Sequence, residues 1–261
     1  MRSFILGQLF FPPRCVGCRR RLDIFSKDFE DSSAFCDECL KMWEKEKLDP
    51  CPTCRVAAVE CTCRPEVLEK KYIDCISLVK FGRTQSVDSL IYSLKKKKIS
   101  KDFEFAANEL AKRFLDYKDN CTRDISDAIF TNVPRKRSNV SQYGFDHARI
   151  LAEMTAKKVG HSYEELILRI GFSRDQKKLT KSERRKNTRG SFELAIDDEI
   201  VEKTVVLVDD VITTGSTASE CIKVLREGGV KNVVLLSISH AAEKKKAKRK
   251  RQRQIKNSKK D

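Results

Sequence analysis

No stretch of this 261-residue chain approaches the roughly 18–20 consecutive apolar residues that a membrane-spanning helix requires. No Gly-Lys dipeptide occurs anywhere in it. That absence removes the G-x4-G-K-[ST] phosphate loop, and with it the reading of an acid-tipped strand as the second half of a nucleotide-hydrolysing site. The apolar opening MRSFILGQLFF lacks a credible signal peptidase site and runs straight into Pro12, Pro13 and Cys15. It reads as a packing segment, which predicts a cytoplasmic protein. Tryptophan occurs once, at Trp43, where packing against its own neighbours and stacking on a nucleic-acid base are the two readings. Aromatic residues are absent from the densest basic runs, so any nucleic-acid contact those runs make rests on phosphate charge more than on stacking.

Positive charge, by contrast, is abundant. The net charge is +16, and the segment EKKKAKRKRQRQIKNSKKD, Glu243 to Asp261, holds +9 of it with eleven Lys/Arg against two acids. A run of like charge this dense is expected to be disordered. Its plain reading is a solvated tail. Its functional readings are a sequence-blind contact with the backbone of nucleic acid or, more weakly, with acidic membrane lipid. The run Lys95 to Lys98 divides the same way, between a solvated helix end and a phosphate contact.

The cysteines are too many to be incidental. Of eleven, eight fall into close pairs near the start of the chain: Cys15 and Cys18, Cys36 and Cys39, Cys51 and Cys54, Cys61 and Cys63. In a chain without secretory signals such density points to metal rather than to disulfides. A C-x2-C turn presents two thiolates on one side of a tight knuckle, and two knuckles complete a tetrahedron around Zn2+. The simplest pairing takes Cys15, Cys18, Cys36 and Cys39 as one site and Cys51, Cys54, Cys61 and Cys63 as the other. A cross-braced arrangement would interleave the pairs, and an iron–sulfur cluster is the rival occupant. Four protein ligands leave no open position, so both sites are expected to be structural staples. Of the three other cysteines, Cys75 and Cys221 sit in apolar contexts and read as small core residues, while Cys121 sits in an isolated loop.

From about Tyr72 the composition changes. YIDCISLVKFG, SDAIFTNVP, TVVLVDD and VKNVVLLSIS read as buried strands. SVDSLIYSLKKKK, DFEFAANELAKRFLDYK, FDHARILAEMTAKKVG and TASECIKVLREGG carry apolar residues at helical spacing. Strands alternating with helices, and near-continuous apolar runs in the strands, predict an α/β fold with a parallel sheet covered on both faces. Ligands in such sheets bind at the carboxyl ends of the strands.

One such end is VVLVDDVITTGSTA, Val205 to Ala218. Thr213, Thr214, Gly215, Ser216 and Thr217 lead into a helix N-terminus, where free N–H groups and the helix dipole attract an anion. Asp209 and Asp210 suit the opposite task of accepting from ribose hydroxyls or holding a divalent cation. Adjacent strand residues face opposite ways, so for both acids to share one ligand the strand is expected to end and turn between them.

VVLVDDVITTGST closely resembles the phosphoribosyl-diphosphate (PRPP) motif of type I phosphoribosyltransferases. The resemblance implies that Asp209 and Asp210 take the ribose hydroxyls and that Thr213, Thr214, Gly215, Ser216 and Thr217 take the 5′-phosphate, with Mg2+ accompanying PRPP. A multi-cysteine head joined to this motif resembles the ComF family of competence proteins. NVPRKR resembles that family's pyrophosphate-facing loop, with Arg135 and Lys136 as charge partners. YGFDHA resembles its Arg-Gly-Phe-Asn-Gln-Ala element, with Tyr143, Asp146 and His147 departing from it. DQKKLTKSERRKNTRGSFEL resembles a further stretch through Gln176, Leu179, Glu183, Arg184, Asn187, Gly190 and Phe192, and Arg184 and Arg185 would lie on a loop that closes over the site. The implied organisation is a zinc-ribbon domain over residues 1–70, a type I phosphoribosyltransferase-like α/β domain over 71–242 and a basic tail over 243–261. Two functions follow from the resemblance. One is a part in natural transformation, with single-stranded DNA and the DNA-uptake machinery as partners at or near the inner membrane. The other is transfer of ribose 5-phosphate from PRPP to a nitrogen base.

Overall fold

The computed structural model describes residues 13–22, 34–71, 73–81, 85–96, 101–135, 140, 141, 143–170, 191–195 and 200–241. In chain order these form α1 (Asp37–Leu48), a 3-10 helix (Glu66–Lys71), β1 (Asp74–Phe81), α2 (Gln85–Lys96), α3 (Lys101–Asn120), β2 (Ile129–Asn132), α4 (His147–Val159), β3 (Ser162–Tyr163), β4 (Ile167–Arg169), β5 (Phe192–Leu194), β6 (Thr204–Ile212), α5 (Ser216–Glu227) and β7 (Asn232–Ala241). All four strands and all four helices read from the sequence are present. The helix α1, the 3-10 helix, β3 and the antiparallel β4–β5 pair were not foreseen.

Five strands make one sheet in the order β1-β7-β6-β2-β3, every neighbouring pair parallel. The valine-rich β6 lies at its centre, with both faces covered, as a continuous apolar run demands. Val206 and Val208 belong to a core shared with α2, α3 and α4, whereas Val205 and Leu207 belong to one shared with α5 and the 3-10 helix. From the boundary between β2 and β6 the chain winds in opposite directions, β2–α4–β3 one way and β6–α5–β7 the other. That boundary is the topological switch point, where the loops beyond the strand ends part and leave a crevice.

Helix ends behave as their chemistry requires. The Asp146 side chain caps α4 by accepting from the N–H groups of Ala148 and Arg149, and Gly160 closes the helix at φ 74°.

The head is welded to the body rather than hung from it. Cys15, Val16, Phe35 and Trp43 share a core with Ile76, Leu78 and Phe103. Trp43 is wholly buried, packs against Phe35 and Phe105, and donates from Nε1 to Oε2 of Glu109 at 3.0 Å. Lys47 reaches the same oxygen at 2.8 Å. Trp43 is thus a packing residue and does not present a ring to nucleic acid.

Candidate functional site

The cysteines converge as two tetrads. Cys15, Cys18, Cys36 and Cys39 bring their sulfurs within 4.8 Å of one another, and so do Cys51, Cys54, Cys61 and Cys63. This is the sequential pairing, not the cross-braced one. The first knuckle of each tetrad is built identically. Arg19 donates its N–H to the Cys15 carbonyl at 2.9 Å, and Arg55 to that of Cys51 at 2.9 Å. Both arginines adopt positive φ, 66° and 69°, a conformation that a non-glycine residue enters only where the turn demands it. Gly17 is required for a different reason: a Cβ there would lie 2.9 Å from Cys39 Sγ. A backbone hydrogen bond from Arg20 holds the Cys18 thiol down at about 7. Burial opposes ionisation of Cys51, yet the backbone N–H groups of Cys54 and Thr53 bring it to about 6. Four sulfurs at this spacing, with N–H donors aimed at them, fit a tetrathiolate metal site.

The second site lies at the carboxyl end of β6. Asp210 is 3% exposed, and its Oδ2 gathers three donors: Arg135 Nη2 at 3.0 Å, His147 Nε2 at 3.0 Å and Lys95 Nζ at 3.3 Å. Burial alone would raise its pKa. The His147 hydrogen bond and the charges of Arg135 and Lys95 outweigh burial and hold the carboxyl far below the ordinary range. Asp209 behaves in the opposite sense. Burial and the neighbouring Asp210 charge push it well above the ordinary value.

The strand does not end between the two acids, contrary to the expectation from the sequence. β6 continues to Ile212, with Asp209 paired to Ser237 and Val211 to Ser239 of β7. The acids therefore alternate across the sheet. Asp210 meets α2 and α4, while Asp209 lies toward α5, where its charge adds to the burial that pushes the Cys221 thiol up. The sheet is held in register there by parallel pairing on β7, which a turn at this point would break.

Beyond β6 the loop is short. Gly215 caps α5 at φ 70°, so Ser216 and Thr217 already belong to its first turn. No acid occupies that turn, which leaves the positive end of the dipole uncompensated by the helix itself. Thr214 Oγ1 and Ser216 Oγ lie 3.0 Å apart, and Thr213 and Thr214 are exposed. The Thr214 and Ser216 hydroxyls thus sit together at the helix N-terminus, where the Ser216 N–H donates to Thr214 Oγ1 at 3.4 Å, a few residues from Asp209.

Residues 149–260 match the model of the phosphoribosyl transferase domain. Over that stretch the chain is similar to phosphoribosyl transferase domains, and it is also similar to proteins named for competence. It is 32% identical over 100 residues to Competence protein F of Haemophilus influenzae, covering 38% of this chain and 44% of that one. It is 22% identical over 211 residues to Competence protein ComFC of Streptococcus pneumoniae, covering 80% and 88% respectively. The chain thus spans less than half of the first relative and most of the second. Among solved structures it is similar to the glutamine PRPP amidotransferase of B. subtilis, at 18% identity and a TM-score of 0.34, over 60% of this chain and 29% of that one.

Of the residues that the resemblance implicated, Arg135 reaches Asp210, whereas Lys136, Arg184 and Arg185 lie outside the described residues, as do Gln176, Leu179, Glu183, Asn187 and Gly190. The basic tail also lies outside them. Two contributors were missed as site residues. Lys95 belonged to a basic run whose plain reading was a solvated helix end, yet it turns inward to Asp210. His147 stood out only as a departure from the family pattern. It is fully buried against Asp210, and its Nδ1 has no partner among the described residues. Its neighbour Asp146 also accepts from the Arg135 N–H at 3.1 Å, so one side chain caps α4 and fixes the loop after β2. Cys75 and Cys221 are the small core residues expected, at 2% and 0% exposure.

Proposed function

We propose that this domain binds a ribose 5-phosphate group, presented as PRPP with Mg2+, in the crevice between the ends of β2 and β6, and that the protein serves natural transformation by handling single-stranded DNA. The observation that carries the ligand reading is the juxtaposition at one strand end of two carboxyl groups whose pKa values are pushed in opposite directions, a cationic cluster and an acid-free helix N-terminus. The helix end and the hydroxyls of Thr213, Thr214, Ser216 and Thr217 suit the 5′-phosphate. Asp209, on the face of β6 that carries α5, suits the ribose hydroxyls as an acceptor, whereas Asp210, on the opposite face, holds the Arg135, His147 and Lys95 donors beside it. Arg135 and Lys95, spared from Asp210 when a ligand arrives, suit the pyrophosphate, whose Mg2+ offsets the remaining charge. The tetrads would hold Zn2+ as structural ions, since four thiolates saturate each one.

The DNA reading is supported by the two competence-protein relatives and by the basic tail, whose contact with DNA would weaken steeply with salt. Base transfer is the second reading, and one observation favours it. A cavity of about 390 Å³ opens beside Arg135, lined also by Arg149, Ile167, Arg169 and Glu193. Its size suits a small acceptor. Arg169 stands in it with its guanidinium over the Phe192 ring and donating to the Pro134 carbonyl.

The test is calorimetric titration of PRPP and Mg2+ into the zinc-loaded protein, beside an Asp209→Asn/Asp210→Asn double variant. Saturable binding lost in the variant is the expected result, and absence of heat in the intact protein would sink the ribose-phosphate reading. Pyrophosphate release on adding a nitrogen base would favour transfer. DNA binding whose salt slope flattens when residues 243–261 are removed would favour the uptake role.

A further inference from the structure

The phosphate-facing loop is not free-standing. Gly215, its last residue before α5, is packed so closely that a Cβ there would lie 3.1 Å from Leu68 Cγ and Cδ1 and from Pro65 Cγ. Leu68 is fully buried in the core formed by Ala218, Cys221 and Ile222 of α5, and its N–H donates to the Pro65 carbonyl at 2.7 Å. These two residues belong to the segment that leaves the second tetrad. Cys63, the last ligand, precedes Pro65 by two positions, and between them Arg64 is tied to Asp74 at the start of β1, 3.7 Å away. The other half of the tetrad is anchored elsewhere. Ala58 and Val59 donate their N–H groups to the carbonyls of Asp49 and Lys47, and Lys47 pairs with Glu109 of α3. A metal ion joining Cys51 and Cys54 to Cys61 and Cys63 therefore fixes the position of Pro65 and Leu68 relative to the body of the domain.

We infer that Pro65 and Leu68 are positioning residues for the Thr213–Thr217 loop, and that metal at the second cysteine tetrad and ribose phosphate at that loop bind with positive coupling. The ligand half of this inference rests on the ribose-phosphate reading above. The physical reason is geometric. A loop whose amides must converge on one anion depends on what its backbone is packed against, and here that support is a short helix pinned by a metal knuckle. Without the metal, the segment from Cys61 to Pro65 keeps the Arg64–Asp74 pair and the burial of Leu68 but loses its tie to Cys51 and Cys54. Coupling between binding sites is reciprocal, so the ligand must also retain the metal.

The experiment follows zinc transfer from the full-length zinc-loaded protein to a chromogenic chelator, with and without saturating PRPP and Mg2+. PRPP is expected to slow release of one of the two zinc equivalents about tenfold and to leave the other unchanged. The Asp209→Asn/Asp210→Asn variant, run in parallel, controls for chelation by PRPP itself. Leu68→Ala is expected to weaken PRPP binding about tenfold and to remove its effect on zinc release, while Leu68→Met restores both. Pro65→Ala is the milder variant should Leu68→Ala not fold. A ligand-free readout accompanies these: hydrogen exchange of the 213–218 amides should quicken in zinc-loaded Leu68→Ala, while β6 upstream of Asp209 stays protected. If PRPP binds but neither zinc release nor the Leu68→Ala affinity changes, the coupling is wrong and the ribose-phosphate reading stands. If PRPP does not bind at all, both fall. Unchanged exchange in the loop of Leu68→Ala overturns the positioning role whatever PRPP does.

Discussion

Asp209 and Asp210 are chemically identical neighbours that do opposite things to stability. Asp210 is held ionised by His147, Arg135 and Lys95, so its folded pKa lies below its unfolded value. Its contribution is present above the unfolded pKa of about 3.8 and is lost as pH falls through the folded one. Asp209 has a folded pKa above its unfolded value, so ionising it at neutral pH weakens the fold. Asp210→Asn is therefore expected to destabilise the protein by on the order of 2 kcal/mol, because it leaves the half-buried Arg135 and Lys95 without their counter-charge. Asp209→Asn should instead raise the melting temperature, by on the order of 1 kcal/mol of stability, while still impairing ligand binding. Thermal melts at pH 7 decide both signs, and two changes of the same sign would contradict the assignment. A third titrating group lies on the neighbouring strand. Burial and the charge of Lys80, 3.5 Å from its Nδ1, bring His240 from 6.5 to about 4. The unfolded chain binds the extra proton between those values, so stability falls as pH drops from about 6.5 to about 4, by roughly 3 kcal/mol in total. His240→Gln should flatten that part of a pH–stability curve measured by chemical denaturation; an unaltered curve would show that other groups cause the loss.

The knuckle Arg14–Arg21 and the knuckle Pro50–Ala57 are the same local structure used twice, each closed by an isolated bridge between its ends. What distinguishes them is how closely other chain segments approach. Gly17 abuts Cys39, so Gly17→Ala should displace a ligand of the first tetrad only. The expected stoichiometry is one tightly held zinc per chain instead of two, read by metal analysis after dialysis against a weak chelator. Retention of two would mean that the knuckle yields by a few tenths of an ångström and that the contact is not limiting. At the same scale, the parallel pairing of β6 with β7 explains why the strand carries on past its acids. Ending it there would strand the backbone groups of Val211 and Ile212 inside the sheet.

Across the whole molecule, the single tryptophan reports on how head and body are joined. Trp43 sits between the first tetrad and α3, in one core with the strands of the sheet. Its indole N–H and the Lys47 ammonium satisfy Glu109, whose carboxylate is 5% exposed and, despite burial, is held below its ordinary pKa. A head bonded to the body in this way cannot unfold without opening that core. Denaturant curves followed by Trp43 fluorescence and by far-UV circular dichroism should therefore coincide. An early fluorescence transition would show instead that the head opens independently.

The sequence by itself determined the parallel α/β class, the eight cysteines that form two tetrads but not their pairing, the strand that carries Asp209 and Asp210, and the glycine loop after it. Each of these depends on residues close together in the chain, or on thiols whose chemistry admits few uses. The tertiary structure alone decided that Lys95 and His147 join Arg135 on one oxygen of Asp210, since these residues come from separate elements and their charges read alike whether solvated or buried. It also decided that Trp43 is enclosed, that β6 runs on past its acids, and that Pro65 and Leu68 press on Gly215. Periodicity shows that a residue has an inside. Which neighbour it meets there depends on how distant segments pack, and no local pattern carries that information.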